Sequence, residues 1–193
     1  MSQSFQTILK PTESFFKDRG SKFHGYAFPV CSSDEVKLRL DDIRALHTSA
    51  RHFCYAYQLV ANGSEYRASD DGEPNGSAGL PILNQIKSKE VTNTFVVVVR
   101  YFGGTKLGVS GLINAYKEVT KGALDQAKIV IKIPMATVSI QFPHSKIGDV
   151  ERTIRQKNWI IKNQAFGIDC KWIIETPIEN QLEAQETFNL LLD

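Results

Sequence analysis

Cysteine is scarce in this sequence: Cys31, Cys54 and Cys170 are all there are. Their number is odd, their spacing wide, and no C-x-x-C occurs. That excludes a disulfide framework and a zinc knuckle, and it fits a reducing cytoplasm. Long hydrophobic runs are also absent. Phe95–Val99 is uninterrupted for only five residues before Arg100 ends it. A membrane-spanning helix needs roughly 20, so no membrane association is expected. The opening "MSQSFQTILKP" lacks the basic start and apolar core of a secretory signal. No repeat or low-complexity tract occurs, and charge of one sign does not dominate.

What is present is the composition of a soluble globular chain of 193 residues, 42% hydrophobic and 23% charged. Its charge is uneven. Residues 1–133 carry 17 Lys and Arg against 13 Asp and Glu, whereas residues 134–193 carry 6 against 8. A basic larger part permits contact with nucleic acid without requiring it.

The pattern predicts an α+β fold in two domains, 1–133 and 134–193, with Pro134 at the boundary. "ESFFKDRGSKFHGYAFPV" predicts a hairpin turning near Asp18–Gly20. Ser32, Ser33 and Asp34 are candidate N-caps for a helix with Val36, Leu40, Ile43 and His47 at helical spacing. "RHFCYAYQLVA" alternates like a strand, placing Phe53, Tyr55 and Tyr57 on one face and His52, Cys54 and Ala56 on the other. "TFVVVVRYF" has almost no polar break, so a central strand covered on both faces is expected. A helix over about 109–127 follows, with Leu112, Ala115, Tyr116, Val119 and Leu124 inward. After Pro134 the order is strand, helix over 145–157, two strands meeting near Gly167, and a helix over about 179–192. This βαββα order suggests a small ferredoxin-like domain.

Two motifs carry chemistry. The first is "RYFGGTKLGVSGLINAY". Gly103, Gly108 and Ser110 have Walker A spacing, but Val109 stands where the phosphate-binding lysine belongs, which excludes a P-loop. Gly103 and Gly104 are adjacent, so the Rossmann fingerprint fails as well. What survives is a strand, a tight glycine turn and a helix N-terminus, an arrangement whose backbone N–H groups favour an anion. Lys106 would add charge there, and Tyr101 or Phe102 a stacking face. A plain turn with Phe102 buried is the competing reading.

The second motif is "SDDGEP". Asp70, Asp71 and Glu73 crowd three carboxylates into four residues. They suit a divalent cation, turns closed by Asp side chains, or an acid–base pair with His52. No EF-hand pattern and no cofactor signature is present. His52 with Cys54 is a conceivable thiol–imidazole pair, though a buried inert cysteine is the commoner arrangement.

"SKFHGYAFPV", "ARHFCYAYQL", "SDDGEPNGSAGLPIL" and "RYFGGTKLGVSGLINAY" together resemble the YigZ/IMPACT family in content and order. The resemblance covers most of residues 1–130. It implies that the first domain is an α/β sandwich like the second domain of ribosomal protein S-five. The second domain looks like a ferredoxin-like part of elongation factor G. For eukaryotic members the family implies control of translation initiation. Two positions depart from its usual pattern: Ser110 replaces a glycine, and Asn114 replaces an arginine that would have been a further phosphate contact.

Three functional expectations follow. One is a module binding RNA, the ribosome or a translation factor. Arg51, Arg67, Arg100 and Lys106 would hold phosphates, Tyr101, Phe102 or Tyr55 would stack, and Gly103 and Gly104 would shape the backbone donors. His52 lies beside them, and Asp70, Asp71 and Glu73 would orient the arginines or brace the loops. The second is a regulator that binds only proteins. The third is a metal-assisted hydrolase or transferase, which lacks an identifiable nucleophile or ligand set. A non-enzymatic role is favoured.

Overall fold

The computed structural model describes residues 4–192, which form two compact units, one of them Phe5–Lys132 and the other made mainly of the residues from Ile133 onward. The first unit contains β1 (Phe5–Ile8), β2 (Thr12–Asp18), β3 (Ser21–Pro29), α1 (Ser33–Leu46), β4 (His52–Leu59), β5 (Glu65–Ser69), α2 (Gly79–Ser88), β6 (Thr94–Tyr101), α3 (Gly108–Asp125) and β7 (Ile129–Lys132). The second contains β8 (Met135–Phe142), α4 (Ile147–Lys157), β9 (Ile160–Phe166), β10 (Cys170–Pro177) and α5 (Gln181–Leu192).

In the first unit an antiparallel sheet runs β2-β3-β6-β4-β5. β6 is central because its side chains are apolar on both faces. Val96 and Val98 enter one core with α2 and α3, while Phe95, Val97 and Val99 enter another with α1. Each fully buried valine of this kind contributes ~1.5–3 kcal/mol. The alternation in β4 resolves the same way, with Phe53, Tyr55 and Tyr57 toward α1 and Cys54 and Ala56 toward α2 and α3. The sheet is thus a layer between helices, as expected for the sandwich.

Local chemistry sets the connections. Arg19 and Gly20 both have positive φ, 43° and 82°, which closes β2 onto β3 in a type I′ turn. Ser32 caps α1 by accepting the Glu35 N–H. Along α1, Val36, Leu40 and Ile43 face inward, and His47 forms the C-cap. α3 buries Leu112, Ala115, Tyr116, Val119 and Leu124 at helical spacing.

Two features lie beyond the sequence reading. β5 is almost wholly exposed, so it shows no apolar alternation. β1 and β7 pair as a separate two-stranded ladder of distant segments. The helix ends also move by one or two residues. A 3-10 turn over His144–Lys146 precedes α4, and another over Ile178–Asn180 precedes α5.

The second unit is the expected βαββα arrangement. Its antiparallel sheet has the order β8-β10-β9, so the third strand lies between the first two. Val138, Ile140, Phe142, Trp172 and Ile174 pack against Val150, Ile154, Ala184 and Phe188 of the two helices. Among the described residues, no helix is long and apolar enough to cross a membrane.

Candidate functional site

The C-terminal end of β6 is where the two motifs meet. Arg100 is the first polar residue after the valine run, and alternation aims it at the α2–α3 side of the sheet. There its Nη1 donates to Glu73 Oε1 at 2.6 Å, with the two side chains only 7% and 4% exposed. Tyr116 of α3 donates its hydroxyl to the same oxygen at 2.9 Å. Arg100 Nη2 lies 3.5 Å from Ser21 Oγ, which also accepts the Gly103 N–H at 3.2 Å. The guanidinium carbon stands 5.6 Å from the Phe23 ring centre and 5.5 Å from that of Phe102.

Arg100 therefore differs from an open phosphate-holding arginine. It ties the acidic turn, the glycine turn and α3 together, and only its Nε, itself buried, lacks a hydrogen-bond partner. Glu73 is likewise engaged as its counter-charge.

The other two acids brace the loop. Asp70 accepts the N–H groups of Gly76, Ala78 and Gly79 at 2.8–2.9 Å, capping the start of α2 from a distance. Burial works to raise its carboxyl, but these three bonds outweigh that and hold it below the usual carboxylate range. Asp71 accepts the Phe53 N–H at 2.7 Å, and its carbonyl meets His52 Nδ1 at 2.9 Å. Among the described residues no group of His, Cys, Asp and Glu is arranged to hold a metal ion. A metal-binding or acid–base role for these carboxylates would first require breaking their present bonds.

Cys54 is fully buried, 2.9 Å from the Asp70 carbonyl and 3.2 Å from Tyr116 Oη. Burial pushes its thiol far above the usual range, so it stays protonated and unreactive. His52 turns to Asp71 instead, and the thiol–imidazole pair does not form.

The glycine turn is fixed by close approach. A Cβ on Gly103 would lie 1.9 Å from the Gly20 carbonyl carbon, so the turn packs backbone to backbone on the β2–β3 hairpin. Gly104 has φ +87° and faces open space. α3 then starts at Gly108 without a side-chain cap.

This leaves Phe102 projecting, 58% exposed, contrary to the plain-turn reading that buries it. Three clefts meet at its ring. One, about 290 Å³, is lined by Arg51, His52, Arg100 and Tyr101. Another, about 320 Å³, is lined by Lys106, Glu73, Arg100 and the start of α3. The third, about 430 Å³, is lined by Lys22, His24, His47 and Tyr101.

The structure thus gathers Arg51, His52, Glu73, Arg100, Tyr101, Phe102 and Lys106 at one edge, shaped by Gly103 and Gly104. Asp70 and Asp71 sit behind it. Arg67 is elsewhere: it pairs with Tyr57, which faces Phe95, and Tyr101 lies six positions further along β6 than Phe95. At ~3.4 Å per residue that is roughly 20 Å along the sheet. Tyr55 is half-buried with its ring against Phe95.

Sequence reasoning missed a second layer. His47 Nε2 and Nδ1 each lie 2.8 Å from a phenol oxygen, of Tyr26 and Tyr101 respectively. Burial, with nearby His24, holds His47 below its usual pKa. Burial and Lys22 do the same to His24, against a smaller opposing pull from Glu13. The signal was present in the alternation of "KFHGY", which puts Lys22, His24 and Tyr26 on one face. Helical spacing alone accounts for His47 only as a member of the α1 stripe.

A layered antiparallel sheet whose acidic turn is locked to a glycine turn defines an Impact-type domain, and residues 19–124 match the Impact N-terminal domain. The chain belongs to the IMPACT family. It is 32% identical to the IMPACT family member YvyE of Bacillus subtilis over 94% of this chain and 82% of that protein. It is 34% identical to the IMPACT family member YigZ of Escherichia coli over 69% of this chain and 66% of that one. A crystal structure described as that of a hypothetical protein superposes with a TM-score of 0.76 at 29% identity, covering 95% of this chain and 89% of the other.

Proposed function

We propose that this protein is a cytoplasmic RNA-binding module of the translation apparatus, with its site at the glycine-turn edge of the first unit. The observation that carries this reading is Phe102. It is a large exposed aromatic held between clefts that present Arg51, Lys106 and Lys22. An exposed ring beside separate cations suits stacked bases and their phosphates, the pattern of single-strand recognition. Arg51 and Lys106 supply the exposed charges, while Arg100 stiffens the platform from beneath. The ribosome, or a translation factor carrying RNA, is the setting the family resemblance implies.

The test is fluorescence anisotropy with labelled single-stranded RNA at ~50 and ~200 mM salt. Wild type is expected to bind and to weaken steeply with salt. Arg51→Ala with Lys106→Ala should bind less tightly and flatten the salt slope by about 1.4, at about 0.7 per lost phosphate contact. Absence of binding at either salt concentration removes the RNA reading.

A protein-only role has one specific feature in its favour. Leu80, Val109 and Ile113 are exposed apolar side chains on α2 and α3, and Leu80 and Ile113 border a cleft of about 230 Å³. A partner retained from lysate after nuclease treatment, and lost in Leu80→Asp, would favour that role.

A further inference from the structure

The α1 side of the sheet carries a row of side chains of which the RNA reading above uses only Lys22. β2 and β3 set Lys17 directly opposite Lys22, and β6 sets Tyr101 directly opposite Lys22. Directly paired residues share a face of the sheet, so the two lysine side chains leave it side by side. Both lysines are exposed, and among the described residues neither has an ion-pair partner. The acid on that face of β2 is Glu13, four residues from Lys17 and roughly 13 Å along the strand. Like charges facing each other across a strand pair repel. An anion bridging them would remove that repulsion.

The neighbouring groups suit a base. His24 lies in the next row, its ring 5.0 Å from Phe15, 5.3 Å from His47 and 5.9 Å from Tyr101, edge-on to the last. Tyr101 is held in place by its hydroxyl contact with His47. Together with Lys22 and Phe102, the rings of His24, His47 and Tyr101 line the cleft of about 430 Å³, within the size range of small-ligand sites. Arg100 supports Phe102 at 5.5 Å, and the exposed part of the ring borders the cleft. His24 and His47, both held below their usual pKa, offer uncharged rings at neutral pH.

The geometry points to a second nucleotide subsite here: an RNA phosphate bridges Lys17 and Lys22, and the attached base enters the cleft bordered by Phe102, Tyr101 and His24. This rests on the RNA-binding reading and extends it. It carries a single strand around Phe102, from the Lys106 cleft to the α1 side of the sheet.

The test titrates the full chain into 5′-fluorescein single-stranded RNA of mixed sequence over ~50–200 mM salt. Lys17→Ala/Lys22→Ala is expected to bind on the order of 20-fold more weakly near ~0.1 M salt and to flatten the salt slope by about 1.4, two contacts at about 0.7 each. Lys89→Ala/Lys121→Ala, which removes two lysines paired with Asp125, should leave the slope unchanged. The Lys17/Lys22 variant should melt no lower than wild type, since a repulsion is gone. A lower Tm contradicts the repulsion that motivates the site. Wild-type affinity and slope in that variant overturn the subsite while the RNA reading stands. No RNA binding by the wild type overturns both.

Discussion

Glu73 and Arg100, 27 residues apart in sequence, form a 2.6 Å ion pair from which solvent is almost wholly excluded. One comes from the acidic turn and the other from the end of the central strand. Tyr116 and Ser21 complete the arrangement. The pair joins two motifs that a sequence shows only separately, and it sets the platform on which Phe102 stands.

Breaking this pair leaves a buried charge without its partner. Glu73→Ala is expected to destabilise the protein by about 3–5 kcal/mol, measured by urea unfolding. Glu73→Leu combined with Arg100→Met should recover most of that loss, because a buried pair replaced by apolar groups is close to neutral. A single variant as stable as wild type would show that the guanidinium reaches water.

The two adjacent glycines have different reasons to be glycine. Gly103→Ala forces a Cβ into the Gly20–Ser21 backbone and must displace the hairpin. Gly104→Ala meets open space and bears only the left-handed backbone, a cost of about 1–2 kcal/mol. Thermal melts should therefore rank Gly103→Ala well below Gly104→Ala. Equal losses would contradict the close packing of the turn.

Asp70 links stability to acid pH. Its carboxyl is depressed in the folded state despite burial, because three N–H groups favour the charged form. Its contribution is therefore fully present above the unfolded carboxylate value of about 3.9 and is lost as pH falls through the lower folded value. Asp70→Ala should cost about 0.5–2 kcal/mol at pH 7, the range for a lost cap, and progressively less toward pH 3. A gap independent of pH would deny the charge a role.

His47 acts higher on the pH scale. Burial and His24 lower its pKa, and its ring is faced by Tyr26, Tyr101 and His24, with Lys22 and Glu13 acting on His24. The unfolded chain thus binds a proton more readily, so this contribution is present above about pH 6.5 and fades as pH falls through the folded value. Melts of wild type and His47→Gln between pH 7.5 and 5 should converge on acidification. Parallel curves would contradict a neutral, buried His47.

The sequence made some layers of this structure readable and hid others. β6 was legible because a run of valines has no other economical place than the middle of a two-sided core. The inward stripe of α3 was legible because 3.6-residue spacing survives translation into packing. β5 was hidden because an exposed edge strand has no apolar period. At the site, the glycine turn and the projecting aromatic could be anticipated, but the engagement of Arg100 could not. Local sequence makes Arg100 and Lys106 equivalent cations, and only the fold shows that Glu73 closes on one and leaves the other open. The Lys17–Lys22 opposition was equally invisible until strand register paired them.

The most direct measurement is photocrosslinking of 4-thiouridine-substituted single-stranded RNA to the full chain, with adducts mapped by mass spectrometry. The account predicts adducts centred on Phe102, with others within residues 47–52 and 22–24. Adducts confined to other surfaces, such as the Arg67 end of the sheet or the second unit, would contradict it.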